Sequence, residues 1–506
     1  MSADLLDRLD AWKTRYGQGG AGRLERLLSR TARRRFGDPG SVIRLHETLL
    51  FLRAYPHSAE VARLADSILL SFSRRVLDSP AFEEPPVSGI AGTSLAPIFS
   101  YEVARRLAAR HPRAIEIAWD RYANPDVLGH CLSRAIPPLR EEWPVEAHVS
   151  FRDWLRAAKP RGQSDLGWLL DRTGPEVYDA LQVPLVWDLG NSRAARTHTR
   201  LPAKRLFPHD APLVRRGDVS LARELEGPPL PIERLSRARA EKVLDLILDT
   251  SAVRYRELHG FTHPDAGRVW RARAGRGVEM VFFGVPPAWR LPLRAYHAAM
   301  FFKNGVPSGY VEVLSLFERA EVGFNLYYTF REGESAWIYA RLLRLFRQTL
   351  GVNTFSVDPY QIGHENEEAI DSGAFWFYRK LGFRPVEPAM ARLVAREEER
   401  MRARPGYRTP PRTLRRLAEG YLLYEGPGAE PGAWDRFRMH NLGLAATRRG
   451  VDSAFRLVPA GDLEGLDAVL RAKAGPDESR YLRLIERRPG LRSAFLKLGS
   501  SPIRPI

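Results

Sequence analysis

The amino-terminal third of the chain carries the hydrophobic period of α-helices. Apolar residues recur every three or four positions over Ser41–Tyr55, and Val61–Val76 repeats the pattern. Pro56 and His57 lie between these two segments, which predicts a helical hairpin. Two more helices are predicted over Tyr101–Arg110 and Val127–Leu139. We therefore expect a helical domain over residues 1–183.

The hydrophobic pattern weakens between residues 184 and 231, where prolines are frequent. Because proline fixes φ and removes a backbone donor, this stretch is predicted to be an extended, Pro-rich connection. A helical period returns over Glu233–Asp249, which is predicted to be an amphipathic helix.

After this helix the apolar period shortens to about two, which indicates β-strands. Strands are predicted over Val269–Ala274, Val278–Val285, Ala295–Lys303, Gly309–Phe317 and Glu321–Phe330. The dipeptide Asn304-Gly305 lies between two of them. Both residues accept the positive φ of a tight turn, so a β-hairpin is predicted there.

Helical and strand-like segments then alternate along the chain. The prediction is a helix over Ala336–Leu350, a strand over Thr354–Val357, a helix over Ser372–Leu381 and a strand over Arg384–Val394. Antiparallel strands followed by such alternation predict a mixed-sheet α/β domain over residues 232–395. Residues 396–506 are expected to form a small C-terminal region, with short helices near Leu414–Leu423 and Leu463–Ala474. The fold class is therefore multi-domain α/β, with an N-terminal helical region.

Composition excludes several classes of protein. Of 506 residues, 44% are hydrophobic and 27% charged, which excludes collagen-like and wholly disordered chains. No apolar run approaches the ~20 residues that cross a bilayer, and the first residues hold no apolar signal core. A cytoplasmic location is therefore expected. Cys131 is the single cysteine, so neither an intramolecular disulfide nor a cysteine-based zinc site is expected.

The formal net charge of +18 leaves nucleic acid open as a partner. Of the 78 basic residues 70 are arginine, and they are spread along the chain from Arg8 to Arg504 without a basic block. No nucleic-acid motif accompanies this charge, so the nucleic-acid hypothesis is not favoured.

Several short motifs have ordinary structural explanations. Gly17–Gly22 has the letters of a dinucleotide fingerprint but follows a helical segment, so it is predicted to be a helix–helix turn. The segment Gly89–Ser94 is read as a flexible turn with a helix cap, or as a loop that offers backbone N–H groups to an anion. His259 and His263 have ligand spacing, but Pro264 follows and no third ligand is near, so no metal is expected.

The strongest candidate site begins at the strand Glu321–Phe330. The strand runs into the glycine-containing loop Arg331–Ala336, which opens the helix that ends at Gly351. Ser335 is predicted to be the N-cap of this helix and Gly351 its C′ residue. A strand, a short loop and a helix N-terminus together suit a pyrophosphate, because free N–H groups and the helix dipole converge there.

A second segment reads Asp371-Ser-Gly-Ala374-Phe-Trp-Phe-Tyr378-Arg-Lys-Leu-Gly-Phe383. Together with the strand beginning at Glu321 and the loop after it, this segment resembles the GNAT superfamily of acyl-CoA N-acyltransferases. The resemblance covers about residues 232–395. It implies acetyl-CoA or another acyl-CoA as co-substrate and an amine as acceptor.

The resemblance also implies the roles of individual residues. Glu321 would be the general base and Tyr378 the general acid. Apart from the resemblance, His297 on the neighbouring strand is read as a packed histidine or, as the alternative, as the base. The residues that the resemblance assigns to cofactor binding are Asn325, Leu326, Tyr327, Arg331, Gly333, Ser335, Ala336, Asp371 and Ala374.

Two features depart from the family pattern. Glu334 stands where the loop usually has its inner glycine, with Gly333 one place early, and Asp371 stands where the family usually has asparagine. The alternative is a catalytically silent GNAT-like module in an interaction protein or a nucleic-acid-associated protein. In that case Tyr378 is a core aromatic residue and Glu321 an edge charge.

Overall fold

The computed structural model describes residues 2–17, 19–136, 138–139, 151–203, 205–289, 294–448 and 489–500. They form two compact units. The first runs from the amino terminus to Leu201 and includes Val243–Thr262, and the second contains Pro202–Lys242 and the residues from His263 onward. Within the described residues, no helix is both long enough and apolar enough to span a bilayer.

The first unit is mainly helical and includes a small antiparallel sheet. Before residue 202 its described helices are α1 Ser2–Lys13, α2 Gly20–Ala32, α3 Pro39–Ala54, α4 Ala59–Leu70, α5 Tyr101–Arg110, α6 Pro125–Ala135, α7 Phe151–Ala158 and α8 Asp165–Leu181. Its strands are β1 Ser94–Leu95, β2 Ile115–Ile117 and β3 Leu185–Asp188, and β3 lies between the other two. The predicted helical character of the amino-terminal region is therefore confirmed.

Side-chain caps fix the start of the two helices in the predicted hairpin. The carboxylate of Asp38 accepts a hydrogen bond from Ser41 N at 2.7 Å at the start of α3, and the hydroxyl of Ser58 accepts one from Val61 N at 3.1 Å at the start of α4. Each cap satisfies a backbone donor that the helix itself leaves unpaired. The helical hairpin is confirmed, although α4 ends at Leu70 rather than at Val76.

The second unit is built on a nine-stranded mixed sheet with the order β11-β12-β10-β9-β8-β7-β6-β5-β4. Its strands are β4 Ile232–Arg234, β5 Val269–Gly275, β6 Val278–Gly284, β7 Ala295–Lys303, β8 Val306–Leu316, β9 Arg319–Leu326, β10 Thr354–Val357, β11 Arg384–Pro385 and β12 Leu422–Glu425. The predicted class, α/β with N-terminal helices and a mixed sheet, is confirmed. The hairpin between β7 and β8 is also confirmed, since Asn304 and Gly305 have φ of 50° and 80°.

Most of the helices after β3 belong to the second unit, and one stretch of them belongs to the first. The helices after β3 are α9 Leu221–Leu225, α10 Arg237–Ala252, α11 His259–Thr262, α12 Ser335–Leu350, α13 Pro359–Ile362, α14 Glu367–Ser372, α15 Ala374–Arg379, α16 Pro388–Ala403, α17 Pro411–Leu417, α18 Met439–Arg448 and α19 Pro489–Gly499. Most of α10, from Val243, and all of α11 belong to the first unit.

Two predicted elements differ from the structure for a local reason, and a third cannot be compared. The predicted strand over Arg384–Val394 is wrong beyond Pro385, because Pro388 occupies the first turn of α16 and apolar residues follow with a helical period. The predicted helix Ser372–Leu381 is divided into α14 and α15 by Gly373, whose φ is 66°. The predicted helix Leu463–Ala474 lies outside the described residues.

The chain also divides differently from the predicted domains 1–183, 184–231, 232–395 and 396–506. Residues 184–201 belong to the first unit, because β3 is the central strand of its small sheet. Strand β12 pairs with both β10 and β11, so this part of the C-terminal region belongs to the same sheet as residues 232–395. Neither pairing has a local sequence signal, since each joins segments far apart in the chain.

The buried imidazole of His46 makes the first unit sensitive to acid. Its Nε2 lies 2.8 Å from the Thr197 hydroxyl and its Nδ1 lies 2.9 Å from Glu47 Oε1. Burial lowers the pKa of His46 to about 4 despite the neighbouring Glu47 carboxylate. The folded protein therefore binds fewer protons than the unfolded chain between pH 6.5 and about 4.

We predict that the unfolding free energy falls as the pH is lowered through this range. The contribution of His46 is about 3 kcal/mol, since one pKa unit corresponds to about 1.4 kcal/mol. His46→Gln should flatten this pH dependence in urea denaturation, whereas the same substitution at the exposed His364 should leave it unchanged. An unaltered slope in His46→Gln would contradict the assignment.

Candidate functional site

The pairing between two parallel strands ends at the predicted active site. Strand β9 pairs with β10 only over Arg319, Ala320 and Glu321, opposite Thr354, Phe355 and Ser356, and β10 itself ends at Val357. Strand β9 continues to Leu326 beside β8 alone, and its residues Gly323, Phe324 and Asn325 are partly exposed. We call this unpaired edge of β9, beyond Glu321, the gap. Glu321 is therefore the last β9 residue paired with β10, at the point where the gap begins.

Glu321 lies in a largely buried polar environment. Its side chain is 15% exposed, and its Oε2 lies 3.4 Å from a terminal nitrogen of Arg319. Burial raises the pKa of the Glu321 carboxyl, the nearby carboxylate of Asp358 raises it further, and Arg319 opposes both. The carboxyl therefore titrates above the usual range for glutamate, which suits a group that takes up and releases a proton.

Arg319 links β9 to β10 two residues before Glu321, within the paired part of the two strands. Its guanidinium is fully buried and donates to Ser356 Oγ at 2.9 and 3.1 Å and to the carbonyl of Phe437 at 2.8 Å. The rings of Trp434 and Phe437 lie 5.9 and 5.0 Å from the guanidinium carbon. A buried cation needs such partners, so Arg319 fixes the geometry around Glu321.

The backbone of β9 turns its N–H groups alternately to its two sides. Tyr327 N donates to Ser308 O at 3.0 Å, so the residues at even spacing from Tyr327, including Asn325, point their N–H groups toward β8. The N–H groups of Phe324 and Leu326 point the other way, to the side on which β10 has already ended. Of the three predicted residues Asn325, Leu326 and Tyr327, Leu326 is the one whose N–H faces the gap.

The loop after β9 leads into α12 as predicted, but its cap differs. A short 3-10 turn, Tyr328–Phe330, precedes Arg331, and α12 begins at Ser335. Ser335 is therefore the first helical residue and Glu334 the capping residue, so the prediction of Ser335 as N-cap is wrong. Gly351 ends the helix with φ of 69°, as predicted.

The exposed part of this loop lies beside α14. A terminal nitrogen of Arg331 is 2.5 Å from Glu368 Oε1. Asp371 is exposed on the same helix, and Ala374 is half-buried as the first residue of α15. The structure thus brings the predicted pyrophosphate loop close to the helix that carries Asp371.

Glu334 points into the protein rather than toward the surface of the loop. Its side chain is fully buried, with Oε2 at 3.0 Å from Lys303 Nζ and Oε1 at 2.5 Å from a terminal nitrogen of Arg276. Its Oε1 also accepts a hydrogen bond from Val214 N at 3.1 Å. A glutamate in this loop would place negative charge near a bound phosphate, but Lys303 and Arg276 neutralise the charge of Glu334.

Burial and charge act against each other in this ion pair. Burial acts to raise the pKa of Glu334, but Lys303 and Arg276 outweigh it and hold that pKa below its usual range. Burial lowers the pKa of the Lys303 ammonium to about 8, although Glu334 acts to raise it. Both groups are therefore charged at neutral pH.

Tyr378 lies in an aromatic cluster on one face of the sheet. It is 3% exposed, and its ring centroid lies 5.5 Å from that of Tyr339 on α12. Tyr339 in turn lies 5.0 Å from Phe324 of β9. Burial raises the pKa of the Tyr378 hydroxyl, which keeps it protonated.

Glu321 and Tyr378 lie on opposite faces of β9. Side chains alternate along a strand, so Glu321 and Phe324, three residues apart, point to opposite faces. Phe324 is on the face with Tyr378, so strand β9 itself separates the two predicted catalytic groups. His297 pairs through Val313 with Val322 and therefore lies on the face of Tyr378, not on that of Glu321.

Sequence reasoning missed several polar residues on the Glu321 face. Asp358 follows β10 directly, Gln361 lies over Gly323, and Tyr421 precedes β12. The position of Asp358 could have been predicted from the sequence, because a carboxylate directly after a buried strand lies at the end of the sheet, beside its parallel neighbour. The position of Tyr421 could not, since it depends on the insertion of β12 between β10 and β11.

Comparison of the chain with protein-family models, curated proteins and solved structures finds no match. Among the residues that the structure describes, no group of three or more His, Cys, Asp or Glu side chains could hold a metal ion.

We predict that the Glu334–Lys303 pair is essential for the stability of the loop. Glu334→Gln leaves the Lys303 ammonium buried without its carboxylate, and we expect a loss of about 3 to 5 kcal/mol in urea denaturation. The double variant Glu334→Gln/Lys303→Met should recover most of this loss, because no buried charge is then left alone. The exposed neighbour Glu332 provides the control, and Glu332→Gln should change stability by about 0.5 kcal/mol or less. Equal effects of the two glutamate substitutions would contradict the prediction.

Proposed function

We propose that this protein is an acyl-CoA-dependent N-acyltransferase that transfers an acyl group, in the first place acetyl, to an amine. The observation that carries the proposal is that β10 ends directly after the Glu321–Ser356 pair while β9 continues to Leu326 and leads into α12. Such a gap exposes backbone donors of a strand edge beside a helix N-terminus. An extended, amide-containing arm with a pyrophosphate at its end suits both features.

The helix N-terminus is where the pyrophosphate would bind. The first backbone N–H groups of α12, near Ser335 and Ala336, have no partner within the helix, and the helix dipole favours an anion there. Neutralisation of Glu334 by Lys303 and Arg276 removes one obstacle to a phosphate at this position. Arg331 adds an exposed cation to the same loop.

Glu321 is the proposed general base. An amine attacks a thioester only in its neutral form, so a base must take a proton from the ammonium. The raised pKa of Glu321 brings its carboxylate closer to the operating pH than an ordinary glutamate. The C–N bond then forms at the thioester carbonyl, and the developing oxyanion accepts a hydrogen bond from Leu326 N–H.

Tyr378 is the proposed general acid. Collapse of the tetrahedral intermediate breaks the C–S bond and releases a thiolate, which takes the proton of Tyr378, and the remaining proton of the new C–N nitrogen restores the Tyr378 hydroxyl. The buried hydroxyl of Tyr378 stays protonated at rest. Tyr378 lies on the face of β9 opposite Glu321, so the base and the acid act from different faces.

The first test is binding of acetyl-CoA by the full chain. Acetyl-CoA at a hundredfold excess over its Kd should stabilise the protein by about 3 kcal/mol, seen as a higher melting temperature. Ser335→Asp should abolish the shift because its charge repels the phosphates, whereas the neutral, similarly sized Ser335→Asn should retain it. An unmoved melting curve at millimolar acetyl-CoA would exclude the cofactor and favour the silent module.

The second test concerns the two catalytic groups. With acetyl-CoA and a panel of primary amines, Tyr378→Phe should lower kcat by about 10²- to 10⁴-fold with little change in the KM for acetyl-CoA. Glu321→Gln should remove the acidic limb of the pH profile of kcat/KM, which lies above the ordinary carboxylate range. Variants with wild-type melting curves and wild-type rates would remove these residues from the chemistry.

A further inference from the structure

A row of protonatable side chains runs across three strands from Glu321. In the parallel pair, Glu321 lies opposite Ser356, and Asp358 is two residues further on the same face. Strand β12 runs antiparallel to β10, with Leu422 opposite Val357, so Tyr421 lies opposite Asp358. Glu321, Asp358 and Tyr421 therefore share one face of the sheet in consecutive order.

Hydrogen bonds extend this row to the protein surface. Tyr421 is 5% exposed, and the nearby Asp358 carboxylate adds to the effect of burial in raising the pKa of its hydroxyl. The same hydroxyl lies 3.4 Å from His440 Nδ1, and His440 is exposed on α18. Asp358 is held in place because its Oδ1 accepts a hydrogen bond from Tyr360 N at 2.9 Å.

Charged groups surround the row from every neighbouring element. Those closest to Glu321, Tyr421 and His440, besides the members themselves, are Arg294, Arg319 and Arg438. Arg438 lies 4.4 Å from the ring centre of Tyr421, and it also binds Glu387 Oε1 at 2.6 Å. These cations stabilise the carboxylates of the row, and Arg438 also holds the tyrosine ring in position.

The proposed reaction needs an exit for a proton. Glu321 receives one proton from the acceptor in each cycle and must lose it before the next. Its side chain is largely buried, so exchange with water is restricted. A hydroxyl can accept one hydrogen bond while donating another, and a neutral imidazole can accept a proton at one nitrogen. Next to Glu321 the row contains a carboxylate, Asp358. It is followed by a hydroxyl, Tyr421, and by an imidazole, His440.

We propose that Asp358, Tyr421 and His440 form the path by which the proton of Glu321 reaches solvent, an inference that rests on the proposed function. The Glu321 carboxyl gives its proton to the Asp358 carboxylate. Asp358 passes a proton to the Tyr421 oxygen while the Tyr421 hydroxyl gives its own to His440 Nδ1. The imidazolium then releases a proton to water, so each group regains its starting charge.

The protonation state of His440 agrees with this role. Burial and the neighbouring Arg438 lower the pKa of His440, against the opposing effect of Asp358. The imidazole is therefore neutral near pH 7 and able to accept a proton. Its exposure lets the imidazolium exchange with buffer.

The kinetic test uses thiol release from acetyl-CoA at several imidazole concentrations, with a primary amine from the panel or with water as acceptor. Tyr421→Phe and His440→Gln should lower kcat about tenfold or more at low buffer, without changing the KM for acetyl-CoA. Added imidazole should restore His440→Gln, because a dissolved base replaces the missing acceptor. The control is Tyr424→Phe, a tyrosine of the same strand, and it should behave as the wild type. Loss of kcat without rescue in His440→Gln, or wild-type kcat in both variants, would overturn the path.

A second measurement needs no turnover and separates the two proposals. Titration of His440 by NMR, assigned with His440→Gln, should show its midpoint moved by Glu321→Gln, and Tyr421→Phe should abolish that effect. If the wild type binds no acetyl-CoA and releases no thiol, the proposed function fails, and the titration alone decides whether Glu321 and His440 are coupled. A midpoint that Glu321→Gln leaves unmoved, or moves equally with and without the Tyr421 hydroxyl, would overturn the path.

Discussion

The candidate site depends on the contacts that the buried guanidinium of Arg319 makes. The guanidinium binds Ser356 across the parallel pair and the Phe437 carbonyl beyond it, and it approaches the Glu321 carboxylate. A cation without exposure to water is stable only where acceptors surround it. Arg319 therefore holds β9 and β10 together next to the last pair of their ladder, and it sets the position of Glu321 where the gap begins.

The two buried glutamates of the site illustrate how surroundings decide the role of one residue type. Glu334 meets Lys303 and Arg276 directly, and their charges outweigh burial and lower its pKa. Glu321 has Arg319 at 3.4 Å but also Asp358 nearby, and burial dominates to raise its pKa. The first carboxylate is a structural anchor that is charged at neutral pH. The second is able to change its protonation state, as a base requires.

The insertion of β12 between β10 and β11 has a chemical consequence. It places Tyr421 opposite Asp358 and brings the segment with Phe437, Arg438 and His440 to the face of Glu321. Residues more than sixty positions beyond β10 thus complete the polar environment of a strand in the middle of the sheet. A region that the sequence presents as an appendage is part of the sheet and of the site.

The sequence alone determined the elements whose signal is local. The Asn304-Gly305 turn and the capped helices α3 and α4 follow from backbone preferences and hydrogen bonds between near neighbours, and they occur as predicted. The order of strand, loop and helix between Glu321 and Gly351 is also predicted from the sequence, because the spacing of apolar residues and the positions of glycines are properties of the chain itself. The tertiary structure alone decided the position of β12, the burial of Glu334 against Lys303 and Arg276, and the separation of Glu321 from Tyr378 by a strand. Each of these depends on groups distant in sequence meeting in a core, where charge and burial compete, and no local pattern records the outcome of that competition.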